Sequence, residues 1–140
     1  MAGYSGTPLI QKLGIKSAMR IAVINAPPGY ARLIGKLPVG TKWEHRPVAR
    51  SDFMHFFTTD RKELETFLKK ARSSVADTGM VWVSWPKKSA GVKTDVSEDV
   101  IRAVALPLGF VDTKVCAVDE TWSGLKLMIR RENRTSKRNR

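Results

Sequence analysis

The sequence has little with which to build a metal centre, a disulfide framework or a membrane span. Cys116 is its only cysteine and cannot close an internal disulfide. A chain of this kind suits a reducing compartment. His45 and His55 are the only histidines. With one cysteine they give no metal-ligand spacing, so no metal is expected. His55 lies in an apolar strand and reads as structural, and Cys116 likewise reads as core. No apolar run approaches the roughly 20 residues needed to cross a bilayer. The N-terminus has no apolar stretch after a basic start, which is what a signal peptide needs. A cytoplasmic protein without membrane association is the expectation. Three catalytic or nucleotide signatures are also missing: G-x-G-x-x-G, G-x-x-x-x-G-K-[ST] and G-x-S-x-G. Zinc-finger spacing, paired RNA-binding aromatics and a helix-turn-helix signature are missing too. The sequence therefore assigns no catalytic residue and no oligomeric state.

What is present is a basic chain of one-domain length, 140 residues with a net charge of +12. Residues 130–140 carry six Lys/Arg and one Glu, so the remaining 129 residues keep a charge of +7. The expected division is a single α/β domain over 1–130 and a basic, disordered tail over 131–140. A field of this sign attracts polyanions and says little about fold. The tail residues Arg134, Lys137, Arg138 and Arg140 would hold nucleic acid in a salt-dependent way, or would simply be a soluble terminus.

Met80–Trp85 is the organising stretch. It is a short, almost wholly apolar run between Gly79 and Pro86, the pattern of a strand buried on both faces of a parallel sheet. Arg20–Ile24 and Phe53–Phe57 read the same way. Thr7-Pro8 offers a hydroxyl N-cap with proline at N1 for a short helix. A second short helix is expected over Tyr30–Lys36 and a polar outlying strand over Lys42–Arg46. Leu64, Phe67, Leu68, Ala71 and Val75 recur at helical spacing, behind a capping box of Asp60 and Glu63. Asp95 and Glu98 offer a second box, ahead of the stripe Val100, Ile101, Val104 and Leu108. Phe110–Val118, with Asp112 and Lys114 on one face, suits a sheet edge. A turn at Asp119–Gly124 then returns the chain as Leu125–Arg130. Alternation followed by a terminal hairpin predicts a three-layer α/β sandwich with a mostly parallel sheet.

Ligands of open α/β sheets bind beyond the carboxyl ends of the strands. The candidate ligand site is therefore Asn25, Gly29, Ser84, Lys87 and Lys88. Two ammonium groups beyond a central strand suit an anion, and solvated surface lysines are the plainer reading. The loop Asn25-Ala26-Pro27-Pro28-Gly29 has one glycine, and its two prolines remove N–H donors. It disfavours ordinary nucleotide binding. Glu44 falls near where a ribose-binding carboxylate would lie, or is a solvated edge residue. Asp119, Glu120 and Trp122 form a candidate pocket or partner site. The alternative is that the two carboxylates neutralise the lysines while Trp122 folds over the core.

Several stretches resemble a known family. They are Met1–Pro8, Lys12-Leu13-Gly14, Asn25-Ala26-Pro27 with Gly29, Val83–Lys88, Glu98-Asp99-Val100 and Val115–Lys126. Over about residues 1–133 the chain is similar to a family of small bacterial proteins known only as a domain of unknown function, a label that supplies no activity. The topology also resembles a shortened class I methyltransferase fold, a Rossmann-like sheet with a reversed last strand. The chain departs from that fold twice: the glycine-rich loop is replaced by Asn25–Gly29, and a helix–strand unit is missing before Phe53. The resemblance makes S-adenosylmethionine a possible cofactor, and the degenerate loop disfavours it. The function expected is a non-enzymatic α/β domain that binds a small anionic ligand or a protein partner. The alternatives are an atypical methyltransferase and a basic nucleic-acid-associated protein acting through its tail.

Overall fold

The run Met80–Trp85 is the inner part of β4 (Val75–Pro86), and it is buried almost throughout. A computed structural model describes residues 7–134 of the chain. The elements before β4 are α1 (Leu9–Leu13), β1 (Arg20–Ile24), α2 (Tyr30–Ile34), β2 (Lys42–Glu44), β3 (Ser51–Phe57) and α3 (Arg61–Ser74). After it come α4 (Glu98–Ala105), β5 (Phe110–Ala117) and β6 (Trp122–Ile129). The six strands form one sheet in the order β2-β1-β3-β4-β6-β5. β1 pairs in parallel with β2 and β3, and β3 with β4. β6 is antiparallel to both β4 and β5. The three-layer sandwich with a mostly parallel sheet and a C-terminal hairpin is therefore the fold of this chain.

Alternation along the strands supplies the two faces. Ala22, Met54, Phe56, Val81 and Val83 meet Leu64, Phe67, Leu68 and Ala71 of α3 and Ile101 and Ala105 of α4. Ile21, Val23, Phe53, Phe57 and Trp82 meet Leu9 and Leu13 of α1 and Tyr30 and Ile34 of α2. A helix of five residues has no stability of its own. α1 is held by burial of Leu9 and Leu13, each worth about 1.5–3 kcal/mol. It is also held by the Trp82 indole, whose Nε1–H donates to the Leu13 carbonyl at 2.9 Å. The edge position expected of Phe110–Val118 is that of β5, and β6 lies inside the sheet. Residues 45–50 join β2 to β3 without a helix, which is the shortening expected before Phe53.

Some boundaries differ from the sequence expectation, each for a local reason. Pro8 itself is the cap of α1, no side chain caps it, and Thr7 is exposed. Val75 opens β4 instead of closing α3. There Ser51 pairs with Val75 and Phe53 with Met80, so β4 carries extra residues opposite Asp52. A Cβ on Gly79 would stand 2.8 Å from Val75 Cγ2 and 2.9 Å from the Ser51 carbonyl. Only glycine fits this bulge. β6 begins at Trp122, because Val118 and Asp119 close the turn by donating their N–H groups to the Trp122 carbonyl. The turn is thus shorter than Asp119–Gly124. Gly124 lies in the strand, where its missing side chain admits the Trp82 ring.

Gly79→Ala should destabilise the fold by about 1–3 kcal/mol through overpacking against Val75 and the Ser51 carbonyl. Urea denaturation checks this, and an unchanged midpoint would contradict the bulge geometry.

Candidate functional site

β1, β3 and β4 end on one edge of the sheet, and their following loops form a crest. At the first end Asn25 adopts φ +60°, and Gly29, with φ +86°, leads into α2. The left-handed region suits both residue types. The Asn25 amide donates to the Phe57 carbonyl and to Glu63 Oε2, each at 3.3 Å. Glu63 Oε1 in turn accepts from the Thr58 hydroxyl at 2.6 Å. The Thr58 N–H donates to the Ser84 carbonyl at 3.1 Å. Side chains that could have faced a ligand are thus spent on tying the three strand ends together.

The same economy displaces both expected capping boxes. Asp60 caps α3 by accepting from the Lys62 N–H. Glu63 does not reach back, because Thr58 Oγ1 already accepts from the Asp60 N–H at 3.0 Å. α4 is capped by Ser97, which accepts from the Val100 N–H. Asp95 instead accepts from the Arg61 N–H at 2.7 Å and so serves the first turn of α3. Glu98 pairs with Arg102.

Beyond β4 a groove of about 450 Å³ opens, walled by Trp85 and lined by Lys87, Lys88, Thr94, Asp95 and Ser97. A smaller recess of about 350 Å³ adjoins it through Thr94 and Asp95 and adds Lys93. Lys87 is half-buried and Lys88 exposed. Neither belongs to an ion pair among the described residues. The hairpin turn reaches this edge, as the parallel course of β4 and β5 requires: the Lys87 N–H donates to the Thr121 carbonyl at 2.8 Å. Asp119 does not neutralise the lysines. Its carboxylate accepts from the Thr121 and Trp122 N–H groups at 2.8 and 2.7 Å, shaping its own turn. Glu120 is exposed and joins no ion pair among the described residues. Trp122 packs edge-on against Phe57, with ring centres 5.1 Å apart, so it does fold over the core.

Beneath the crest runs a buried polar chain. The Tyr30 hydroxyl lies 2.7 Å from His55 Nδ1, and His55 Nε2 lies 2.7 Å from the Ser84 hydroxyl. All three side chains are buried. A neutral imidazole has one donor and one acceptor nitrogen, so either tautomer satisfies both neighbours. Burial lowers the His55 pKa from 6.5 to about 3 and raises the Tyr30 phenol above its ordinary value. The chain resembles a nucleophile–base pair only on paper. Ser84 is fully buried and cannot meet a substrate. The role is structural, as the position of His55 in an apolar strand suggests.

The groove gathers Lys87 and Lys88 from the expected ligand site. Asn25 and Gly29 lie on the crest but outside the groove lining, and Ser84 points into the core. Sequence reasoning missed Glu63, Thr58 and Tyr30, each of which bonds to a residue 25 or more positions away. Glu44 is level with Ala22, three positions short of Asn25, and does not reach the crest. Cys116 is half-buried, and burial raises its thiol pKa. Of the basic terminus, Arg131–Asn133 form a 3-10 turn and Arg134 donates to the Ile129 carbonyl. Lys137, Arg138 and Arg140 lie outside the described residues. Those residues contain no cluster of His, Cys, Asp and Glu that could hold a metal, and no helix long and apolar enough to cross a membrane.

This sheet order, with its one reversed strand and its crest of strand ends, is that of the class I methyltransferase fold. The chain is similar in fold to a SAM dependent methyltransferase from Aquifex aeolicus (TM-score 0.64, 14% identity, 91% of this chain and 90% of that one). It is similar to fibrillarin of Aeropyrum pernix with natively bound S-adenosyl-L-methionine (TM-score 0.57, 15% identity, 90% and 70%). A third likeness is to ribosomal protein L11 methylase from Lactobacillus delbrueckii subsp. bulgaricus (TM-score 0.56, 11% identity, 86% and 74%). Identities this low show a shared fold. The chain belongs to the family described as Protein of unknown function (DUF3052), which matches residues 50–131, from the start of β3 through the end of β6. The N-terminal stretches that resemble the family lie outside that match. No curated protein matches the chain.

The crest does not fit S-adenosylmethionine in the manner of a nucleotide loop. Pro27 and Pro28 carry no N–H, the Asn25 amide is already engaged, and α2 has only five residues to present a terminus.

His55 makes folding sensitive to acid. Its pKa is lower in the folded chain than in the unfolded one, so the unfolded chain binds the extra proton between about pH 6.5 and pH 3. The stabilisation is complete above that window and is lost as pH falls through it, with a limiting slope of about 1.4 kcal/mol per pH unit. Unfolding free energies measured across this range should show the slope in the parent chain and lose most of it in His55→Gln. Equal slopes in both would contradict the buried, neutral ring.

Proposed function

We propose that this chain is a non-enzymatic α/β domain that takes a small anionic ligand into the groove beyond β4. Lys87 and Lys88 supply the charge and Trp85 the apolar wall. The observation that carries this reading is the groove itself: an open space of about 450 Å³ at the end of a central strand, beside two lysines that join no ion pair among the described residues. An ammonium group left in that state attracts phosphate or carboxylate from solution, and an apolar wall adds contact area. The turn carrying Asp119, Glu120 and Trp122 forms the far rim of the same edge, and in this reading it is the surface that a protein partner would meet. Nothing on the crest combines an accessible nucleophile with a base, which is why binding is favoured over catalysis.

A second reading, an atypical S-adenosylmethionine-dependent methyltransferase, is supported by the likeness in fold. Fold alone is an argument by association, and the proline-containing loop speaks against it.

A thermal-shift screen distinguishes the two. Nucleoside phosphates, acyl-CoA and phosphosugars at about 100 times Kd stabilise a specific site by about 2.7 kcal/mol, a shift of several degrees. One of these classes should shift the parent chain, and Lys87→Ala with Lys88→Ala should abolish the shift without lowering the unliganded midpoint. Absence of any shift would defeat the small-ligand reading and leave the partner surface. A shift with millimolar S-adenosylmethionine that survives the lysine substitutions would favour the second reading.

A further inference from the structure

The first acidic residue in the chain is Glu44, whereas Lys12, Lys16, Arg20, Arg32, Lys36 and Lys42 all precede it. Arg20 and Lys42 alternate with Ile21 and Trp43 and so face the other side of the sheet. The rest lie in or beside α1 and α2, so the α1–α2 side is covered by chain that brings cations and no carboxylate. The strands under it add more. Lys114 of β5 and Lys126 of β6 stand directly opposite one another in the ladder. They lie in the same alternation as Cys116 and Met128, which pack on the α1–α2 side. Lys114 Nζ donates to the Lys12 carbonyl at 3.1 Å, bringing α1 alongside. The charges that act on Lys126 are Lys114 and Lys16, and those that act on Cys116 are Lys12 and Lys114. No carboxylate is among them. The ion pairs of Arg61 with Glu65 and of Arg102 with Glu98, Asp99 and Asp112 belong to α3, α4 and the β5 position facing them.

Like charges directly opposite on neighbouring strands cost stability. A lysine on an exposed edge strand is commonly explained as protection against edge-to-edge pairing. That explanation serves Lys114 and fails for Lys126, because β6 is an inner strand with partners on both sides. Residues 1–6 of the sequence contain no acidic side chain, and residues 135–140 contain only Lys137, Arg138 and Arg140 as charged side chains. A polyanion is the kind of molecule that such a cluster attracts.

We propose that the α1–α2 side of the sheet, centred on Lys16, Lys114 and Lys126, binds the phosphate backbone of nucleic acid. Lysine is a point charge that holds phosphate without directional demands. Protein interfaces are depleted in lysine and use arginine for paired carboxylate contacts. A patch of lysines on a sheet face therefore matches phosphates better than an acidic protein. The surface lies on a face of the sheet, away from the groove at the end of β4, and is independent of the ligand proposed there.

The test is fluorescence anisotropy of the full chain with a short labelled RNA duplex and its single strand, across a salt series starting at about 50 mM. Lys16→Gln, Lys114→Gln and Lys126→Gln are combined in one variant. Arg134→Gln, Lys137→Gln, Arg138→Gln and Arg140→Gln form a second. The first variant should bind at least tenfold more weakly at low salt. Its slope of log K against log salt should fall by about 2–3, at about 0.9 for each phosphate no longer neutralised. Its melting midpoint should not drop, since the Lys114–Lys126 repulsion is relieved. Parental affinity and slope in that variant would overturn the proposal. So would loss of binding in the terminal variant alone, no binding by the parent at low salt, or displacement by poly-glutamate as effective as by unlabelled RNA at equal charge.

Discussion

The Tyr30–His55–Ser84 chain is the constraint on which the site region depends. It links the start of α2 to β3 and β4 by two hydrogen bonds of 2.7 Å in a dry interior. Each of these polar groups would cost about 1–3 kcal/mol if buried without a partner. Three elements must therefore take up one relative placement. The aromatic rings extend it. His55 stacks on Phe57 at 4.2 Å, and Phe57 meets both Tyr30 and Trp122 edge-on. The loop after β1 and the hairpin turn before β6, far apart in sequence, are thereby referred to one ring system under the crest.

That arrangement shows what the side chains at the crest of this methyltransferase-like sheet are bonded to. In an open α/β sheet the strand ends are where backbone donors are left for a ligand. Here Asn25, Thr58 and Glu63 bond to one another and to the Phe57 carbonyl. In the first loop Pro27 and Pro28 carry no N–H, and the Asn25 side-chain amide is bonded to Phe57 and Glu63. The space that remains lies farther along the sheet, beyond β4, where Lys87, Lys88 and Lys93 gather. Fold and site are separable, and the residues at the strand ends decide the chemistry.

Most of the sheet was legible because its signal is local. Arg20–Ile24, Phe53–Phe57 and Met80–Trp85 are short apolar runs, and a strand buried on both faces has that pattern. The edge position of β5 was expected from Asp112 and Lys114 on one face. The position holds, but an irregularity between the two turns Asp112 toward Arg102 of α4 and Lys114 toward α1 on the other side. What failed was decided by partners distant in sequence or by competition within a few residues. Glu63 looks like half of a capping box until Thr58 takes the Asp60 N–H and Asn25 arrives from β1. Asp95 looks like an N-cap of α4 until it meets Arg61 of α3. Val75 fits the helical stripe and opens a strand because Gly79 allows a bulge against Ser51. Trp122 looks like a turn residue, but its carbonyl accepts two N–H groups and the strand starts there, three residues before the expected Leu125. In the candidate site Lys87 and Lys88 were legible from their place after a central strand. Ser84 was not, because the burial of its hydroxyl against His55 depends on a pairing across the sheet.

The central claim is that an anion enters beyond β4 and not at the loop after β1. Amide chemical-shift mapping of isotopically labelled protein, titrated separately with a nucleoside triphosphate and with S-adenosylmethionine, tests it most directly. The account predicts that the triphosphate moves the amides of Lys87, Lys88, Thr94 and Ser97, while Asn25, Ala26, Gly29 and Tyr30 stay in place with either compound. Shifts concentrated at Ala26, Gly29 and Tyr30 on adding S-adenosylmethionine, with Lys87 and Lys88 unmoved by the triphosphate, would contradict it.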